Sequence, residues 1–217
     1  MVIMEIMMAF YVMNQESFYM GTTLIIILAI ALLLVIYLIN IFNTLVTYKN
    51  RYVNSFANID IQLKRRYDLI PNLIEVAKKA MTHERETLEA VISARNEAAT
   101  LLKSAAAHPG DASSMAQLAN AEGVLNGAMS RFNMVMEAYP DLKTNQNMMQ
   151  LTEELTTTEN TVAFARQAFN DAVMVYNTYR QSFPQTVFAA VFGHPVDAKL
   201  LEFEDTIAIQ AVPKVSF

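Results

Sequence analysis

Apolar residues follow two regimes along this chain. From Leu24 to Ile39 they form one run, interrupted only by Tyr37, and no charged residue occurs between Leu24 and Val46. From Phe42 onward they recur in steps of three and four, at Leu45, Val46, Tyr52, Val53, Phe56, Ile59, Leu63, Tyr67 and Ile70. The second pattern is that of a helix with one buried face. The first predicts a membrane span, since about 20 apolar residues cross a bilayer core. Leu24, Ile30, Leu34, Ile39 and Phe42 mark this anchor, and Tyr37 and Tyr48 suit its interfacial belts.

The anchor helix is expected to run on to Ile70, where Pro71 forces a kink or a reversal by removing a backbone donor and crowding the preceding turn. A second helix then carries Leu73, Ile74, Ala77, Ala80, Met81, Leu88, Val91, Ile92 and Leu102, over about 35 residues or roughly 50 Å. His108-Pro109-Gly110-Asp111 reads as a turn with Asp111 as the next N-cap. A third, shorter helix buries Met115, Leu118, Val124, Leu125, Ala128, Phe132, Val135 and Met136 and ends at Tyr139-Pro140-Asp141. A fourth, about 145–180, buries Met148, Leu151, Leu155, Val162, Phe169, Val173 and Tyr176. Opposite charges four residues apart pair Lys64 with both Asp60 and Asp68, Glu75 with Lys79, and Arg85 with Glu89.

Helices with one apolar stripe must cover it, so the four form an elongated antiparallel bundle. The short third helix would leave part of its longer neighbours uncovered. The expected organisation is a short N-terminal segment (1–22), a transmembrane helix (23–46), the bundle (47–183) and an apolar tail (184–217). In the tail, Val187, Phe188, Val191 and Phe192 either cap the bundle or dock on a neighbouring subunit or the membrane. Beyond them Ile207, Ile209 and Ala211 alternate, too apolar for a disordered end.

Composition agrees with an all-α reading. Gly and Pro number only 5 and 6 in 217 residues, too few for a turn-rich sheet protein. All 16 Lys and Arg lie at or after Lys49, while Glu5 and Glu16 are the only charges ahead of the anchor. The positive-inside rule then puts the N-terminus outside and the bundle in the cytoplasm. A cleaved signal would need a basic start and a small-residue cleavage site, and neither is present. The segment before the anchor is Met-rich, and Met20 is a candidate true start. A net charge of −5 argues against nucleic acid as a partner.

No arrangement of residues for chemistry emerges. There is no Cys, so thiolate sites are excluded. His83-Glu84-Arg85-Glu86 supplies one His where a zinc-protease helix needs two. Paired Glu-x-x-His motifs, a phosphate-binding glycine loop and G-x-S-x-G are all missing. The expectation is no enzyme, no cofactor and no metal. Lys64-Arg65-Arg66 is the one basic cluster, read as either a solvated face or a contact between helices or subunits.

The stretch Asn58-Ile59-Asp60-Ile61-Gln62-Leu63-Lys64-Arg65-Arg66-Tyr67-Asp68-Leu69-Ile70-Pro71-Asn72-Leu73 resembles the signature of the LemA family. Leu88-Glu89-Ala90-Val91, Ala94-Arg95, Tyr139-Pro140-Asp141-Leu142-Lys143, Ala163-Phe164-Ala165-Arg166, Asn170-Asp171-Ala172-Val173, Tyr176-Asn177, Phe183-Pro184 and Phe192-Gly193 continue the resemblance in order. It implies a bacterial membrane protein with one N-terminal anchor, a long-helix cytoplasmic domain and no established enzymatic activity, one branch being tied to membrane shaping. Phe169 stands where Tyr is usual in the family.

The functional expectation is a non-enzymatic scaffold in the bacterial inner membrane, self-assembling through its cytoplasmic helices and tail and shaping or organising the bilayer. The alternative is an adaptor docking a protein client to a protease or signalling complex. Candidate assembly or partner contacts are Asn58, Asp60, Lys64, Arg65, Arg66, Asp68, Pro71, Asn72 and the four apolar tail residues.

Overall fold

The computed structural model describes residues 2–203. The alternating tail residues Ile207, Ile209 and Ala211 therefore lie outside the described residues. Six helices form, and no strand is present among the described residues: α1 (Val2–Lys78), α2 (Arg85–Ala107), α3 (Ala112–Met136), α4 (Pro140–Lys143), α5 (Gln146–Gln181) and α6 (Gln185–Ala189). The chain divides into two units, Met1–Thr44 and Leu45–Phe217.

The first unit is helical throughout its described length, with no loop between residue 22 and the apolar run. Leu24, Ile30, Leu34, Ile39 and Phe42 are all exposed. α1 contains the one helix segment among the described residues that is long and apolar enough to cross a membrane, and only 6% of its most apolar window is buried. Bare Leu and Ile in such number are costly in water and stable in hydrocarbon.

The second unit is an up-and-down bundle. Its α1 part, α2, α3 and α5 alternate in direction, because Tyr52 meets Phe169 and Tyr176 while Arg66 meets Glu122 and Glu159. In the second unit α1 buries Leu45, Tyr52, Phe56, Ile59, Leu63, Tyr67 and Ile70 on the expected stripe, and Leu73, Ile74 and Ala77 beyond Pro71, whereas Val46 and Val53 are half-buried and Ala80, past the helix end, is exposed. Edge-on packing of Phe56 and Tyr52 against Phe169 holds α1 to α5.

Pro71 neither ends nor reverses the helix. α1 runs through it to Lys78, and the reversal comes at 79–84. The second helix is accordingly 23 residues, not 35. A proline leaves the carbonyl four residues earlier without its donor. Here that carbonyl is Tyr67 O, and Arg95 Nε on α2 donates to it at 2.8 Å. The vacancy is filled from outside the helix, so the helix persists.

Two of the expected ion pairs form, Lys64–Asp60 at 2.7 Å and Arg85–Glu89 at 2.5 Å. Two are replaced. Asp68 turns to Arg95 at 3.4 Å instead of Lys64, and Glu75 meets Lys78 rather than Lys79. On α3, Val124 is exposed, and Glu122 takes the core position instead. Asp111 caps α3 as expected, its carboxylate accepting from Ser114 N at 2.8 Å.

The tail from Gln185 to Phe203 folds back on α5. After α6, an extended strap is held by two asparagine side chains. Asn177 donates to Ala198 O at 2.8 Å and accepts from Ala198 N at 2.9 Å. Asn170 does the same to Leu201, at 3.1 and 2.9 Å. The spacing is commensurate: seven helical residues rise about 10.5 Å, and three extended residues cover about 10 Å. Arg180 pairs with Asp197, and Tyr176 Oη bonds His194 Nδ1 at 2.9 Å. The strap covers part of α5, so the uncovered helix length expected from the sequence is reduced.

Gly110 ties the strap to the α2–α3 turn. Its carbonyl accepts from Lys199 N at 2.7 Å, and its φ is +84°. A Cβ there would meet Ala198 Cβ at 3.0 Å and Tyr52 Cε2 at 3.2 Å. Gly110→Ala is therefore expected to cost about 1–2 kcal/mol, from left-handed strain plus displacement of the strap. Thermal melting of the purified full chain checks this; an unchanged midpoint would show that the strap contributes nothing there.

Candidate functional site

The residues singled out in the sequence separate into an inner and an outer set. Arg66 belongs to the inner set: it is 4% exposed, so of the readings open for the basic cluster it takes the contact between helices and is not on a surface that a partner could reach. Leu63, Arg66, Tyr67 and Ile70 share the buried side of α1. A guanidinium in that row needs partners, because an unpaired buried charge is far costlier than an apolar side chain.

Two helices, α3 and α5, supply them. Arg66 Nη1 donates to Glu122 Oε2 at 2.7 Å on α3, and Nη2 donates to Asn126 Oδ1 at 2.6 Å and Glu159 Oε1 at 3.1 Å on α5. Tyr67 Oη donates to the other oxygen of Glu122. Glu122 is wholly buried, whereas Glu159 is half exposed at the mouth of the cluster. Beside this cluster lies a groove that Asn126, Ser130, Asn133, Val162 and Phe203 help to line. Phe203 closes the strap under Arg166, whose guanidinium carbon sits 4.5 Å from the ring centre.

Burial pushes the Glu122 carboxyl above the ordinary carboxylate range, and Glu159 adds to it; Arg66 and the Tyr67 hydrogen bond oppose the rise. Burial, with Glu122 beside it, also pushes the Tyr67 phenol well above its usual value. The sign for stability follows. With a raised folded pKa, the folded chain holds the Glu122 proton more tightly than the unfolded chain, so this group's contribution is fully present below the unfolded value near 4.5 and is lost as pH rises through the folded pKa. Glu122→Gln removes the titration. Its melting midpoint relative to wild type should therefore be lowest at acid pH and climb as pH rises above the ordinary carboxylate range. A difference independent of pH would mean that Glu122 is not the group titrating there.

The second inner junction is Arg95, which joins the Tyr67 carbonyl to Asp68 and sits over the turn that Pro71 interrupts. Pro71 is half-buried, and a shallow groove lined by Ile74, Leu88 and Ile92 opens beside it. A contact between helices was one reading of the cluster that holds Arg66, but the partners at neither junction were foreseen from the sequence. Glu122 lies on the apolar register Met115, Leu118, Glu122, Leu125, Met129 and Phe132, and a carboxylate in that row signals a buried partner of opposite charge.

The outer set comprises Asn58, Lys64, Arg65, Asp68 and Asn72, all exposed, with Asp60 half-buried. Asn58, Arg65 and Asn72 fall on one side of α1 together with Arg51, Asn54, Asp68 and Glu75, all at alternating steps of three and four. Ile61 lies in the same row and is 58% exposed. A single bare isoleucine in a polar stripe is the feature that distinguishes this side. In the tail, Val187 and Val191 are exposed, while Phe188 and Phe192 are half-buried and stacked at 6.2 Å. The structure thus separates the α1 residues from the tail residues; it does not bring them into one site. Among the described residues no group of three or more His, Asp or Glu is placed to hold a metal ion.

These features define a protein that is all-helical among its described residues: one unit is a bundle with a buried charged cluster, and the other is an apolar helical segment long enough to cross a bilayer. The LemA family model matches residues 55–217, three quarters of the chain, and the chain belongs to the LemA family. The match includes both inner junctions and the strap, and it begins beyond the apolar run. No curated protein matches the chain.

Proposed function

We propose that this LemA-family chain is a non-enzymatic scaffold of the bacterial inner membrane. Residues 24–46 hold it in the bilayer with the N-terminus outside, and the bundle assembles with its neighbours in the cytoplasm. The observation that supports assembly is the set of large apolar side chains left bare on the bundle. Phe164 on α5 is 73% exposed, and Met134 on α3 and Met174 on α5 are also open. Singly such residues are ordinary, but several on one small bundle favour lateral contact between anchored copies. Confinement to a membrane raises the effective concentration of copies, so weak contacts suffice.

Mass photometry of the full chain in mild detergent tests the reading, with Phe164→Glu as the comparison. Wild type should form species larger than one chain and the variant should shift towards the monomer; a monomeric wild type at micromolar concentration removes the proposal. Orientation is tested separately, by protease treatment of intact spheroplasts. The bundle should survive until the membrane is opened.

The exposed row Asn58, Ile61, Arg65 and Asn72 supports a second reading, in which the chain presents a protein client to a protease or signalling complex. Capture of a foreign protein by wild type and not by Ile61→Glu/Arg65→Glu, with assembly unchanged in both, would favour this adaptor role over the scaffold.

A further inference from the structure

Phe183, Val187 and Val191 are spaced four residues apart, before, within and after α6, and they are 83%, 59% and 80% exposed. Val196, in the following loop, is 71% exposed. Other residues of the segment are held inward: Ala189 is fully buried, and half-buried Phe188 stacks on Phe192. The segment thus has an anchored side and a bare apolar side.

Its position within the second unit decides what covers it. Tyr179, one helical turn before Phe183, packs edge-on against Tyr48, with ring centres 5.3 Å apart. Tyr48 follows Val46, the last residue of the expected anchor, by two positions, a rise of about 3 Å. The corner that carries the bare residues is therefore the corner from which the chain enters the apolar run. Lys49 and Arg51 lie on the same stretch of α1, both exposed and with no acidic residue between them. Arg180 is already matched by Asp197. Apolar side chains flanked by unmatched cations suit an anionic lipid surface, which takes up the first by burial and the second by charge.

We infer that the α6 corner, through Phe183, Val187 and Val191, is a second membrane contact that dips into the headgroup region of the bilayer holding the anchor. The partner is the lipid interface, not a second copy. Two attachments restrict the tilt of the bundle about its tether, which one helix alone leaves free. The inference rests on the anchor reading above, and the test separates the two.

The chain contains no Cys, so single cysteines can be placed without background. Leu34→Cys in the anchor, Val191→Cys at the corner and His83→Cys in the α1–α2 turn are each labelled with an environment-sensitive fluorophore. The full chain is placed in nanodiscs containing anionic lipid, with spin-labelled lipids as quenchers. His83 lies in the turn just past Lys78, the end of α1, which is 30 helical residues and about 45 Å from Tyr48. The expected result is deep-label quenching at position 34, shallow-label quenching at 191 of roughly twofold, as for a side chain held at the acyl boundary, and none at 83. Quenching at 34 with a water-like, unquenched signal at 191 overturns this inference and leaves the anchor standing. A blue-shifted but unquenched signal at 191 also overturns it, because a protein surface then covers the corner. Absence of quenching at 34 removes the anchor reading and the inference with it.

Discussion

Arg66→Ala is expected to destabilise the bundle by about 3–5 kcal/mol, the range for breaking one side of a buried ion pair. For a domain of this size that lowers the melting midpoint by roughly 10 °C. The loss does not come mainly from the attraction removed. It comes from Glu122, which is left wholly buried with only Tyr67 to satisfy it. Asn126 would also lose its donor from Arg66, and Glu159, being half exposed, would turn to water.

A control distinguishes this cause from lost packing. Arg66→Met/Glu122→Leu replaces both charges by apolar side chains of similar reach, and buried pairs exchanged in this way are often neutral or stabilising. The double variant should therefore recover most of the melting midpoint lost in Arg66→Ala. If it melts as low as the single variant, the cluster acts through shape and not through charge. In return for its desolvation cost, the cluster fixes register. Arg66 reaches α3 and α5 at once, so sliding either helix by one turn would strand a charge.

Much of this bundle was legible in the sequence, for a physical reason. Steps of three and four placed Leu45, Tyr52, Phe56, Ile59, Leu63, Tyr67 and Ile70 in the core because a helix hides one face, whatever it packs against. Asp111 was readable as a cap because capping is local. What escaped depends on residues far apart in the chain. Arg66 could be read as part of a surface cluster because Lys64 and Arg65 precede it; its partners lie 56 and 93 residues away. Asn170 and Asn177 had no evident task until the strap was in place. Pro71 misled in the same way. The rule that proline stops a helix assumes that the freed carbonyl finds no donor, and here a donor arrives from α2. The outer residues Asn58, Arg65 and Asn72 stay solvent-facing on this single chain, and only a partner experiment assigns them.

That junction carries the other large prediction. Arg95→Ala should cost about 2–3 kcal/mol, the upper range for a hydrogen bond from a charged donor to a part-buried acceptor. The exposed contact with Asp68, at 3.4 Å, adds little. Pro71→Ala changes the outcome, because alanine at 71 restores the amide that can donate to Tyr67 O within the helix. In that background Arg95→Ala should cost at least about 1 kcal/mol less than in wild type, a coupling measured by a double-mutant cycle on denaturant unfolding. Simple additivity would mean that Arg95 does not stand in for the missing amide. The same cycle shows why a proline survives mid-helix at this place: its defect creates an acceptor, and the acceptor draws α2 against α1 at one fixed height. Proline alone would weaken α1, and arginine alone would be a surface residue; together they convert a gap in one helix into a joint between two.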